Sequence, residues 1–172
     1  MEKEKKFVGY EYRDVTVIRG MEPLWTDSYA SFGWLLEGNS SVPRINSVTL
    51  KFKRERKIRN KVELTRLQRQ FEGCVKEIEN LEKSKNLGAS AFAYGIGIVG
   101  TAFMALSVFS YLGGMILTSI VVAVPAFAGW VLPYFGYLRI KNKKTEQVNP
   151  LIDAQYEKIY DTCEKASRLL ES

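Results

Sequence analysis

The sequence predicts an α+β membrane protein with an N-terminal β-α-β-β domain, a transmembrane helical hairpin, and flanking helices that form an antiparallel, coiled-coil-like stalk. Three observations predict it. From Leu87 to Leu138 the chain has no Asp, Glu, Lys, Arg, His, Asn or Gln, although charged residues make up 26% of the whole. Residues 8–54 carry β-branched and aromatic residues in short runs divided by Gly, Asn, Ser and Pro. On both sides of the uncharged run, apolar residues recur at alternating steps of three and four.

The small domain, residues 1–54, opens with the run Tyr10 to Ile18, which alternates but changes phase between Tyr12 and Val15. A bulge near Arg13 or Asp14 would return Tyr10, Tyr12, Val15 and Val17 to one face. Pro23 suits the first turn of a helix, and Trp25, Tyr29 and Phe32 follow at i, i+4 and i+7 as its apolar stripe. Gly33 ends that helix, Trp34–Glu37 makes a second strand, and Gly38–Ser41 begins a loop into a third, where Val48, Leu50 and Phe52 alternate with polar residues. A domain of about 50 residues buries too little surface to stand well alone. It needs support from the following helix, a second copy of the chain, or a partner.

An amphipathic helix is expected over residues 55–86, with Leu64, Leu67, Phe71, Cys74, Ile78 and Leu81 as a seam and charged residues on its other faces. The uncharged run, residues 87–138, is too long for one membrane crossing, which takes about 20 residues. It suits spans at about 88–111 and 115–138, reversing at Gly113-Gly114. Residues 139–172 then supply a basic flank and a C-terminal helix with a matching seam, Ile152, Tyr156, Ile159, Cys163, Ala166 and Leu170. Pro150 is expected to break or bend the chain before that helix, because it removes a backbone donor.

Location and topology follow from charge. Lys83 and Lys85 precede the hairpin, and Arg139, Lys141, Lys143 and Lys144 follow it, while the reversal carries no charge. This predicts a multi-pass protein of the cell membrane with both termini in the cytoplasm. The run lies behind a long charged stretch, unlike a signal peptide, so no cleavage is expected. Two Cys, both outside the run, fit a reducing compartment. At 14 residues before the first span and 25 after the second, Cys74 and Cys163 are not expected to meet in a straight stalk.

Composition closes off much chemistry. The chain has no histidine, which removes the usual general bases, the Ser-His and Cys-His pairs, and the commonest metal ligand. No phosphate-binding loop, dinucleotide fingerprint or zinc spacing occurs, so neither cofactor nor metal is expected. No ionisable group lies inside the spans, where transporters place them. Within the first span Ala89, Ala93, Gly97, Thr101 and Ala105 form a ladder of small residues that permits close helix approach, within the hairpin or between copies.

The net charge of +6 resides mostly ahead of the hairpin, where Lys51, Lys53, Arg54, Arg56, Lys57, Arg59 and Lys61 oppose Glu55 alone. That tract either contacts phosphates, those of lipid headgroups first, or solvates a strand end and helix start. No nucleic-acid-reading motif accompanies it.

The string Phe32-Gly33-Trp34-Leu35-Leu36 resembles the Gly-Trp-Glu-Leu junction of a small β-α-β-β domain of unknown function found in short bacterial proteins. The resemblance covers residues 9–54 and implies a fold without an assigned activity. Leu35 stands where that pattern has Glu, so no role of that position carries over. The layout that places Lys57-Ile58-Arg59-Asn60-Lys61 and Leu64–Phe71 before a two-helix hairpin resembles small uncharacterised membrane proteins of Gram-positive bacteria.

The expected function is therefore a non-enzymatic, two-pass membrane protein that acts as an oligomerising scaffold or partner-docking platform. Its expected partners are the lipid bilayer and either a second copy or another membrane protein. The alternatives are a subunit of an oligomeric channel or transporter and an anionic-lipid sensor working through the basic tract.

Overall fold

The computed structural model describes residues 8–41 and 46–171. The element order is strand β1 (Tyr10–Ile18), a 3-10 turn (Arg19–Met21), helix α1 (Glu22–Ser31), strands β2 (Leu35–Ser41) and β3 (Ser47–Glu55), and helices α2 (Lys61–Leu112) and α3 (Ile116–Glu171). The protein is α+β, a three-stranded sheet followed by two long helices, each long and apolar enough to cross a membrane. The chain divides into two compact units, Met1–Lys76 with Gln155–Ser172, and Glu77–Ala154.

In the first unit the sheet is antiparallel in the order β1-β3-β2. The bulge expected in β1 is absent: Tyr10 to Ile18 pair with Glu55 to Ser47 without a shift. The irregularity lies in β2 instead, between Leu36 and Gly38. β1 keeps its phase because its inward positions hold charges with partners, so no apolar face has to be restored. Arg13 meets Glu72, and Glu11 meets Arg54 and Lys61. Tyr10 and Tyr12 consequently stand exposed on the outer face.

β2 begins at Leu35 and runs through Ser41, where a loop was expected from Gly38. Its bulge absorbs Glu37, and pairing with β3 then holds Gly38 to Ser41 in extended form. Gly33 closes α1 with φ +81°, a conformation that glycine adopts without strain. A Cβ there would also strike Ile58 Cδ1.

The core of this unit is aromatic. Tyr29 is fully buried, with ring centroids 4.6 Å from Phe52, 5.2 Å from Trp25 and 6.1 Å from both Trp34 and Phe71. Phe71 is 5.2 Å from Trp25 and 5.8 Å from Phe32. Since Phe71 lies on α2, the support that the small sheet needs comes from the following helix. Ile159 and Ala166 of α3 are buried in the same unit. α2 starts at Lys61, later than the expected residue 55, because β3 continues to Glu55 and Asn60 takes φ +54° as the chain turns.

In the second unit α2 ends at Leu112 and the chain reverses through Gly113 and Gly114, the latter at φ +78°. α3 then runs unbroken through Pro125, Pro133 and Pro150. The break expected at Pro150 does not occur. Losing its N–H frees only the Glu146 carbonyl, both residues are exposed so water can satisfy it, and Val148 and Ile152 are buried on either side.

Candidate functional site

Two polar clusters join the sheet to α2. In the first, Trp34 Nε1 donates to Gln68 Oε1 at 2.9 Å, and Gln68 Nε2 donates to Glu72 Oε1 at 2.8 Å. The Tyr29 hydroxyl donates to the same Glu72 oxygen at 2.9 Å. Arg13 Nη2 approaches both Glu72 oxygens, at 3.0 and 3.1 Å. Burial, and then the adjacent Glu72 carboxylate, push the Tyr29 hydroxyl above the ordinary phenol range, so it stays protonated and donating.

The second cluster centres on Arg54, which is 4% exposed. Its Nε donates to Glu11 Oε1 at 2.6 Å, its Nη1 donates to the Phe32 carbonyl at 3.3 Å, and its guanidinium lies 4.4 Å from the Trp34 ring centroid. Lys61 Nζ takes the other Glu11 oxygen at 2.7 Å. Partial burial would raise the Glu11 pKa, but hydrogen bonds from Lys61 and Arg54 outweigh it and hold the carboxyl below its usual value.

These contacts revise the basic tract. Arg54 is buried and held by Glu11 and the Phe32 carbonyl, which turns it away from a surface ligand. Lys53 pairs with Glu37 at 2.7 Å and lies 5.7 Å from the Tyr10 ring, and Lys61 pairs with Glu11. Lys51, Arg56, Lys57 and Arg59 are exposed.

Along α2, Leu64, Leu67, Phe71, Cys74 and Ile78 are buried and Leu81 is half-buried. Gln68 and Val75 are buried as well, which widens the covered arc beyond a two-helix seam. Along α3, Ile152, Ile159 and Ala166 are buried, as are Val148 and Thr162, while Tyr156, Cys163 and Leu170 are half-buried. The half-buried position of Tyr156 and Cys163 reflects a groove of about 480 Å³ that they line with Pro23, Asp27 and Ser31 of α1. Both thiols are free. Burial raises the pKa of each, offset at Cys163 by a Ser28 hydrogen bond and at Cys74 by the charge of Lys158, so neither is activated as a thiolate.

The hairpin presents a different surface. The backbones come close at Gly100 and Gly129, where a Cβ on Gly129 would lie 2.8 Å from Gly100 Cα. Gly136 meets the Phe92 ring, and Ser107 Oγ donates to the Ser119 carbonyl at 2.8 Å. Of the small-residue ladder, Ala89 is buried, Ala93 and Gly97 are half-buried, and Thr101 and Ala105 are exposed. Ala93, Gly97 and Thr101 line an open groove of about 460 Å³ with Gly129, Trp130 and Pro133. Thr101 returns its hydroxyl to the Gly97 carbonyl at 2.9 Å. Only 11% of the most apolar stretch of α2, and 17% of that of α3, is buried.

Sequence patterning missed Arg13, Gln68 and Glu72, because polar residues on an amphipathic helix or an alternating strand read as solvent-facing. The one available signal was the phase change in β1, which marks charges on an inward face. No group of three or more Cys, Asp or Glu among the described residues is placed to hold a metal ion. No family profile, curated protein or solved structure matches the sequence.

Proposed function

We propose that this chain is a two-pass membrane protein whose sheet-and-helix unit is a non-enzymatic platform on the cytoplasmic face, where copies of the chain or a membrane-protein partner assemble. The observation that carries the reading is the uncharged run from Leu87 to Leu138 together with its exposure. Leu87, Tyr94, Ile98, Phe109, Leu112 and Leu117 are each more than two-thirds exposed. A water-soluble protein would bury such a surface, whereas lipid accepts it.

Orientation in this reading follows Lys83, Lys85, Arg139, Lys141, Lys143 and Lys144, which hold both ends of the hairpin at the cytoplasmic side. Trp130, Tyr134 and Tyr137 serve as interfacial anchors near that end. The seam Leu64, Leu67, Phe71, Cys74, Ile78 and Leu81 pairs antiparallel with Ile152, Tyr156, Ile159, Cys163, Ala166 and Leu170 as a stalk. The Ala93–Gly97–Thr101 groove offers the membrane-embedded face for association.

Crosslinking of the full chain in native membranes, followed by mass identification, tests the proposal. The expected product is a multiple of the chain mass or a defined complex with a membrane protein, retained through alkaline extraction. Release by alkali, or uncrosslinked monomer throughout, overturns it.

A further inference from the structure

We propose that β1 is a self-pairing edge, through which two copies of this chain join their sheets about a two-fold axis at Tyr12. The inference rests on the assembly reading above and names an interface for it. Among the described residues β1 is a nine-residue strand with β3 as its one neighbour, without proline or bulge. Natural sheets normally blunt such an edge.

The ladder phase shows what the edge offers. Arg56 N donates to the Gly9 carbonyl, and Arg19 N donates to the Asn46 carbonyl, each at the position directly opposite. Odd-numbered residues of β1 therefore spend their backbone groups on β3, and Tyr10, Tyr12, Asp14, Thr16 and Ile18 direct N–H and C=O outward. A strand that docks there must pair with these five.

Charge selects the register of a second copy. Centring the two-fold axis on Glu11, Arg13 or Asp14 sets each of those charges against itself, which is destabilising. Centring it on Val15 sets Glu11 against Arg19, which lies beyond the end of the strand in the 3-10 turn, so within β1 itself no opposite charges meet. Centring it on Tyr12 sets Glu11 of one copy against Arg13 of the other, twice, at non-hydrogen-bonded positions where Cα atoms lie about 4.5 Å apart. The same register sets Tyr10 against Asp14 and Val8 against Thr16. It also covers Tyr12, which is 67% exposed, with its own counterpart.

The test uses the full chain in membranes, in a background with Cys74 and Cys163 replaced by Ala. Tyr12→Cys places two thiols at a hydrogen-bonded pair with Cα atoms about 5.5 Å apart, within disulfide reach. Mild oxidation is expected to give a disulfide dimer with Tyr12→Cys and none with Thr49→Cys, which shares the outer sheet face on the central strand. Co-expressed Val8→Cys and Thr16→Cys chains are expected to join to each other. Adding Tyr12→Pro, whose missing N–H costs no bond to β3, is expected to cut that product at least tenfold while the melting transition stays in place.

Absence of the Tyr12→Cys dimer, equal dimer with Thr49→Cys, a disulfide to a different protein, or a Val8–Thr16 product that survives Tyr12→Pro overturns the strand pairing. Hairpin-mediated crosslinks that persist through such a failure leave the assembly reading standing, whereas monomer throughout removes both.

Discussion

Replacing Arg54 with Met distinguishes a buried strut from a surface cation. The guanidinium holds Glu11 at 2.6 Å and the Phe32 carbonyl at 3.3 Å, and it stacks on Trp34 at 4.4 Å. Hydrogen bonds involving a charged group contribute about 1.5–3 kcal/mol, and a desolvated cation–π contact up to about 2 kcal/mol. Two features reduce the sum: Met needs no desolvation, and Glu11 is a quarter exposed and retains Lys61. The expected loss is about 2–3 kcal/mol, read by denaturant unfolding of the full chain in detergent and followed through Trp fluorescence. The exposed neighbour Arg56→Met should stay within about 0.5 kcal/mol. Because the Arg54 contacts are shielded, raising salt should leave the difference between the two variants nearly constant. A loss below about 1 kcal/mol for Arg54→Met, or equal losses for both variants, would refute the reasoning.

Glu11 makes the first unit acid-sensitive. Its carboxyl is held below the unfolded value of 4.5, so its contribution is complete above that value and disappears as pH falls through the lower folded value. Glu11→Gln should be less stable at neutral pH and lose less on acidification, as thermal melts across pH would record. Tyr29→Phe keeps the ring cluster but removes the hydroxyl that serves Glu72, and should cost about 1–3 kcal/mol while leaving the far-ultraviolet dichroism unchanged. In the hairpin, Gly129→Val should force the helices apart and cost about 1–3 kcal/mol in detergent melts, since even its Cβ would crowd Gly100. Gly97→Leu has open space and should leave the hairpin fold intact, lowering only the crosslinked fraction. If Gly97→Leu destabilises the hairpin as much as Gly129→Val, the assignment of the two faces is wrong.

How much was legible depended on whether the deciding interaction was local. The reversal at Gly113-Gly114 was readable because paired glycines and the length of the apolar run act within one stretch of chain. Burial of Leu64, Leu67, Phe71 and Ile78 was readable because burial follows helical period. At Pro150 the helix is not broken, because a local propensity is outweighed by burial of Val148 and Ile152 on either side. In β1 the phase change was visible, but its resolution required Glu72, Arg54 and Lys61, all at least 40 residues away. The same distance hid Arg54 inside what looked like a solvated basic tract.

The sequence by itself determined the class of elements, the uncharged run with its basic flanks, and the absence of histidine chemistry, because composition and periodicity need no partner. Tertiary structure alone decided which charges are structural, that α2 supports the sheet through Phe71, and that the hairpin helices approach closely at Gly100 and Gly129, beside the Gly97 ladder. Those outcomes depend on which residues meet across the fold. A burial cost or a close approach belongs to a pair of residues, and sequence spacing records only one member of each pair.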